Sequence, residues 1–96
     1  MRYTEEELKK DNDEFRAIWE HLSEVRAKKS ADYGNSWSLF GLPGVICQIM
    51  SKAIRVWNLK NTEPTNESLR DSFRDLAVYS VMAMMLIDRG ETEPKI

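Results

Sequence analysis

A chain of 96 residues, 42% hydrophobic and 31% charged, is one small globular domain with a thin core, because domains of this size bury only about 60–65% of the surface their unfolded chain exposes. A net charge of −2 with a pI near 5.4 leaves no surplus of cations to displace counterions from phosphates, which argues against a general nucleic-acid-binding protein. The single cysteine, Cys47, cannot form an internal disulfide, and the start lacks the basic segment and apolar stretch of a signal peptide, so a cytoplasmic protein is expected.

Thr4 followed by Glu7 has the spacing of a capping box, and the residues after it are acidic, as the positive end of a helix dipole favours. Leu8, Phe15, Ile18, Trp19, Leu22 and Val25 then recur at helical spacing, which predicts a long first helix over residues 5–29 with a charged, wet opposite face. Residues 30–44 break the pattern with glycines, Pro43 and several aromatics. Flexible linkers are poor in Tyr, Trp and Phe, so this segment is expected to be an ordered loop packed on the helices.

A second helix is predicted to start near Pro43 or Gly44 and to end near Asn61, with Val45, Ile46, Ile49, Met50, Ala53, Val56, Trp57 and Leu59 on a broad apolar face. Cys47 is expected on that side as a small buried thiol. Residues 61–66 read as a turn, Thr65 or Asn66 as the cap of a third helix, and Arg89-Gly90 as its terminator. The last six residues are expected to be a loose tail. The most apolar stretch, residues 77–87, falls short of the roughly 20 residues needed to cross a bilayer and is a core helix. The fold class is therefore all-α: a three-helix bundle with a long first helix, a Gly/aromatic loop and an antiparallel helix pair. Its thin core predicts a homo-oligomer.

The third helix carries the loudest chemical signal. Glu67, Asp71, Asp75 and Tyr79 recur every fourth residue, so they form one slowly twisting row that leads into the core. Like charges at that spacing repel mildly, and a cation is needed to face them. A divalent metal would gather the carboxylates and in turn hold a polyphosphate. The plainer alternative is neutralisation by Arg70 and Arg74, three residues after Glu67 and Asp71. His21 has neither a second histidine nor a paired cysteine and gives no zinc site. Met82, Met84 and Met85 read as core filler or an oligomer seam, which their softness suits.

Three separated motifs, Asp32-Tyr33-Gly34-Asn35-Ser36-Trp37, Lys52-x-x-Arg55-x-x-x-Leu59 and Glu67-x-x-x-Asp71-x-x-x-Asp75-Leu76-Ala77-x-Tyr79, together resemble a phage and bacterial family called nucleotide modification associated domain 1, over roughly residues 26–89. The resemblance implies a small helical protein of nucleotide metabolism or nucleic-acid modification, in the host cytoplasm if phage-encoded. The family looks distantly like the all-helical nucleoside triphosphate pyrophosphatases of the MazG and dimeric dUTPase type. Those enzymes hold magnesium between a Glu-Glu-x-x-Glu helix and a Glu-x-x-Asp helix. This chain departs from them by spacing its acids four apart and by lacking the doubled glutamate at Glu20 and Glu24.

On this reading Glu67, Asp71 and Asp75 are the candidate magnesium ligands. The candidate nucleotide contacts are Asp32, Tyr33, Gly34, Asn35 and Trp37 in the loop, with Lys52, Arg55 and Tyr79 on the helices. Lys52 would neutralise a phosphate as a point charge and Arg55 would grip it with a planar fork. Tyr33 and Trp37 offer faces for a base, and Asp32 and Asn35 polar groups for its edges. Against this, Asp-Tyr-Gly-Asn is a good turn, Trp37 would also plug a core, and Lys52 and Arg55 would also pair with the acidic row. Three functions follow: magnesium-dependent cleavage of a nucleoside triphosphate to monophosphate and pyrophosphate, non-catalytic sequestration of a nucleotide signal of host immunity, or an accessory subunit that docks on another protein.

Overall fold

The computed structural model describes residues 2–63 and 67–96 and is all-α, with three helices, one short 3-10 turn and no strand among the described residues. The expected cap at Thr65 or Asn66 lies outside the described residues. No helix is long and apolar enough to cross a membrane among the described residues.

The chain divides into two compact units, residues 1–32 and 33–96. The first is nearly all of helix α1, Glu5–Tyr33. Its start is the predicted capping box: Glu7 N–H donates to Thr4 Oγ1 at 3.1 Å, and Thr4 N–H donates to Glu7 Oε1 at 3.2 Å. An exposed Lys9–Asp13 pair at 3.0 Å decorates the wet face. Helix α1 continues one turn past the predicted end at residue 29, because Ser30, Ala31, Asp32 and Tyr33 contain no glycine or proline and the first chain-reversing residue is Gly34.

The second unit is built on an antiparallel pair, α2 over Gly41–Leu59 and α3 over Glu67–Arg89, entered through the 3-10 turn Ser36–Ser38. Helix α2 starts two residues before the predicted Pro43. That proline falls within the first turn, where its missing N–H has no intrahelical partner to lose. Val45, Met82 and Leu86 are buried on the facing sides of α2 and α3. Cys47, expected to be buried, is exposed: two residues past Val45 turn a helix by about 200°, which carries the thiol to the opposite side. Ser38 is buried, its hydroxyl donating to Asn35 O at 2.8 Å, while Trp37 and Leu39 are half-buried, so part of the loop is packed as expected.

Helix α3 ends at the predicted pair. Gly90, at φ +70°, donates to Ile87 O at 3.1 Å, and Glu91 N–H donates to Leu86 O at 2.9 Å, the two bonds of a Schellman stop.

The segment that follows corrects the loose-tail expectation. Leu42 N–H donates to Thr92 O at 2.9 Å, Lys95 N–H donates to Leu39 O at 2.8 Å, and Lys95 Nζ reaches Ser38 Oγ at 3.2 Å and Glu91 Oε2 at 3.3 Å. The chain end thus straps across the start of α2, where orphan N–H groups need acceptors that the tail's carbonyl supplies. The strap lies directly on Gly41, where a Cβ would stand 2.5 Å from Thr92 O and 2.7 Å from Glu93 O.

Gly41→Ala is therefore expected to cost at least about 2–3 kcal/mol, combining left-handed strain at φ +65° with a backbone clash. Gly90→Ala meets strain alone, because nothing lies within 4 Å of its Cβ position, and should cost about 1–2 kcal/mol. Urea denaturation midpoints of the two variants check the order.

Candidate functional site

The candidate residues of α2 and α3 meet at a polar seam beside the buried apolar contacts. Lys52 Nζ lies 3.3 Å from Asp75 Oδ2, with both side chains about three-quarters buried. One turn further along α2, Arg55 Nε donates to Ser72 Oγ at 3.0 Å. In sequence, Lys52 with Asp75 and Arg55 with Ser72 follow one antiparallel register. Ser72 is buried and its hydroxyl also donates to Ser68 O at 2.7 Å, so its hydrogen is committed to the backbone and it meets Arg55 as an acceptor. Among the described residues, the Nη1 and Nη2 atoms of Arg55 have no hydrogen-bond partner, which leaves the two-pronged end of the guanidinium open beside the seam.

The acidic row behaves as its spacing predicts. Glu67 and Asp71 are exposed, Asp75 and Tyr79 are half-buried, and Met82 and Leu86 beyond them are buried, so the row sinks into the core along α3. Arg74 holds its middle: Nη1 is 3.4 Å from Asp71 Oδ1 and Nε is 3.5 Å from Asp75 Oδ1. Asp75 is thus shared between Lys52 and Arg74. Of the two arginines that the spacing offered as neutralisers, Arg74 pairs and Arg70 makes no ion pair among the described residues. No group of three or more His, Cys, Asp or Glu side chains is arranged to hold a metal among the described residues.

Asp32, Tyr33, Gly34 and Asn35 are exposed, and Asn35 uses its carbonyl to accept from Ser38. The Trp37 ring sits 5.7 Å from the Arg89 guanidinium, at the far end of α3. From Asp75 to Arg89 the helix rises about 21 Å at 1.5 Å per residue. Within the second unit the cations and the acids are brought together, and Trp37 stands at the opposite end of the hairpin from them.

Sequence reasoning missed Ser72 and Lys95. Ser72 was legible in principle, because fixing Lys52 opposite Asp75 in an antiparallel register puts Arg55 opposite Ser72. Lys95 had no signal of its own, since its partners Ser38 and Leu39 are remote in the chain.

Lys52→Met is expected to change stability by less than about 1 kcal/mol, because Asp75 keeps Arg74 and partial access to water. Ser72→Val should cost about 1–3 kcal/mol, because it removes both hydroxyl bonds and forces a larger apolar side chain against Arg55. Thermal or urea melts of the two variants distinguish these outcomes.

Comparison with known proteins finds one family model, described as nucleotide modification associated domain 1, matching residues 29–87. That span takes in the end of α1, the loop, all of α2 and most of α3, and so covers every motif of the seam. No curated protein and no solved structure matches the chain.

Proposed function

Because the chain belongs to the nucleotide modification associated domain 1 family, we propose that it binds a nucleotide or nucleotide-derived small molecule, with the phosphates held at the α2–α3 seam by Lys52 and Arg55. The observation that carries this reading is the pair of cations one helical turn apart, backed by Ser72 and Asp75, with the open end of the Arg55 fork free to take phosphate oxygens. Lys52 supplies a compact charge beside it. An incoming polyphosphate takes Lys52 and Arg74 from Asp75 by competition, one charged acceptor replacing another. Tyr79, one turn beyond Asp75 on the same row, is placed to line the inner end of the seam.

The catalytic form of this proposal is magnesium-dependent cleavage of a nucleoside triphosphate. In that form Lys52 and Arg74 would turn from the aspartates to the phosphates, and Asp71 and Asp75, with Glu67 at the exposed end of the row, would be the residues left to hold the ion. Bound there, the ion would polarise phosphate and activate water.

The non-catalytic form, retention of an unaltered nucleotide, is favoured by one specific observation: Asp71 and Asp75 are already neutralised by Arg74 and Lys52, so the site needs no metal to be stable. Of the loop set, Trp37 then belongs to recognition of a base presented at the other end of the hairpin, with Tyr33, Gly34 and Asn35 preceding it in the chain.

Calorimetry with linear and cyclic nucleotides, with and without magnesium, tests binding. Replacing Arg55 by Met should weaken affinity by about tenfold or more, since charge-assisted hydrogen bonds contribute about 1.5–3 kcal/mol. Lys52→Met should weaken it at least as much, because it also leaves Asp75 facing the phosphate with less compensation. The exposed control Lys9→Met should bind as the parent does. Release of pyrophosphate that disappears in Asp75→Asn supports the catalytic form, and recovery of intact ligand after heat denaturation supports retention. Failure of every nucleotide to bind overturns both.

A further inference from the structure

Two arginines reach the seam, and their guanidinium groups are held in different ways. Arg74 is engaged by carboxylates on both edges: Nε and Nη2 lie 3.5 Å from Asp75 Oδ1, and Nη1 lies 3.4 Å from Asp71 Oδ1. Arg55 is held by one neutral acceptor, Ser72 Oγ at 3.0 Å from its Nε, and makes no ion pair among the described residues. A guanidinium grips two oxygens at once through one of two edges, Nε with its neighbouring Nη or the two Nη atoms together. In Arg55 the first edge is committed to the protein and the second is open.

Ser72 is 2% exposed, and its own hydrogen is committed to Ser68 O at 2.7 Å, one helical turn back. The rotation of its hydroxyl is thereby fixed, and it meets Arg55 as a preset acceptor. A carboxylate in this place would also hold the arginine but would cancel its charge, as Asp71 and Asp75 do for Arg74. The other end of the hairpin supplies a comparison. There the buried Ser38 donates to Asn35 O at 2.8 Å and accepts from Lys95 Nζ at 3.2 Å, and Glu91 closes that cation at 3.3 Å. At Ser72 the same pairing of serine and cation has no closing carboxylate among the described residues.

We propose, resting on the reading of the seam as a phosphate site, that Ser72 is its positioning residue. It pins Arg55 at Nε without neutralising it, so the Nη1–Nη2 edge takes one phosphoryl group end-on, through two unesterified oxygens of the same phosphorus. The ligand class is a phosphate monoester or diester, each phosphoryl unit of a polyphosphate included, and the grip does not depend on a terminal phosphate. Arg55 as a whole is exposed, so without the pin its long side chain would sample many rotamers that binding would have to order. Holding Nε beforehand removes part of that ordering from the binding step. Lysine cannot replace Arg55 here, because a single ammonium cannot hold Ser72 and also present two coplanar donors to a phosphate.

Two measurements test the proposal. In the free protein the Nε–Hε resonance of Arg55 should exchange slowly with solvent, should be lost to rapid exchange in Ser72→Ala, and should return in Ser72→Thr, which restores the hydroxyl. With inorganic pyrophosphate as the probe, calorimetry should show about 3–10-fold weaker binding in Ser72→Ala, the equivalent of one net hydrogen bond, and recovery in Ser72→Thr. Arg55→Met should lose more, and adding Ser72→Ala to it should change nothing further, because the serine acts only through the arginine. Arg55→Lys should stay weaker than the parent, and Lys95→Met, at the closed serine, should bind as the parent does. A parent Nε–Hε that exchanges as fast as that of the exposed Arg16 overturns the proposal without recourse to a variant. So does pyrophosphate binding that falls in Arg55→Met but is unchanged in Ser72→Ala. Binding that is unchanged in Arg55→Met overturns the phosphate reading of the seam itself, and a slowly exchanging Nε–Hε beside it leaves Ser72 as a structural contact alone.

Discussion

The register between α2 and α3 is the constraint on which the rest of the second unit depends. Two cations on one helix meet an aspartate and a serine on the other, and each contact selects the same offset. A shift of one turn in either direction would strand Asp75 without Lys52 and leave the buried Ser72 hydroxyl without Arg55. Partly exposed ion pairs contribute little to net stability, so their effect here lies in selectivity: slipped packings carry a desolvated polar group without a partner. Apolar contacts among Val45, Met82 and Leu86 supply attraction but discriminate weakly between registers. Polar contacts settle which one forms, and in doing so they bring Lys52, Arg55, Ser72 and Asp75 together.

Much of this was legible before any coordinates. The capping box at Thr4 and Glu7, the stop at Gly90 and the gradient of burial along Glu67, Asp71, Asp75 and Tyr79 all follow from local rules, because each depends on residues within one or two turns of one another. What was not legible depends on remote segments. Nothing near Lys95 announces that it reaches Ser38, and nothing near Gly41 announces that a carbonyl from residue 92 will occupy its missing Cβ. Cys47 shows a different failure. An apolar label averaged over a helix side places it inward, whereas its angle from Val45 places it outward. The loop was recognised as ordered from its aromatics, but its separation from the cations was hidden, because sequence order says little about which end of a hairpin a loop serves.

The distribution of polarity over the hairpin joins fold to function. The seam gathers Lys52, Arg55, Arg74 and two aspartates, while Ile46, Met50, Ile54 and Trp57 of α2 and Phe73, Met84 and Ile87 of α3 stay exposed. The family relationship covers both sets together, since residues 29–87 include the whole of α2 and α3 as far as Ile87.

The strap formed by residues 91–95 sets a condition on the order of folding. Helix α2 precedes in the chain both the acceptor for its Leu42 N–H and the side chain that reaches Ser38, so these ties close only once α3 has folded back and carried residues 92 and 95 to the start of the hairpin. Until then the first turn of α2 and the turn before it lack them. The antiparallel pair is therefore the precondition of the strap, and the strap in turn ties Ser38 and Leu39 to the finished hairpin.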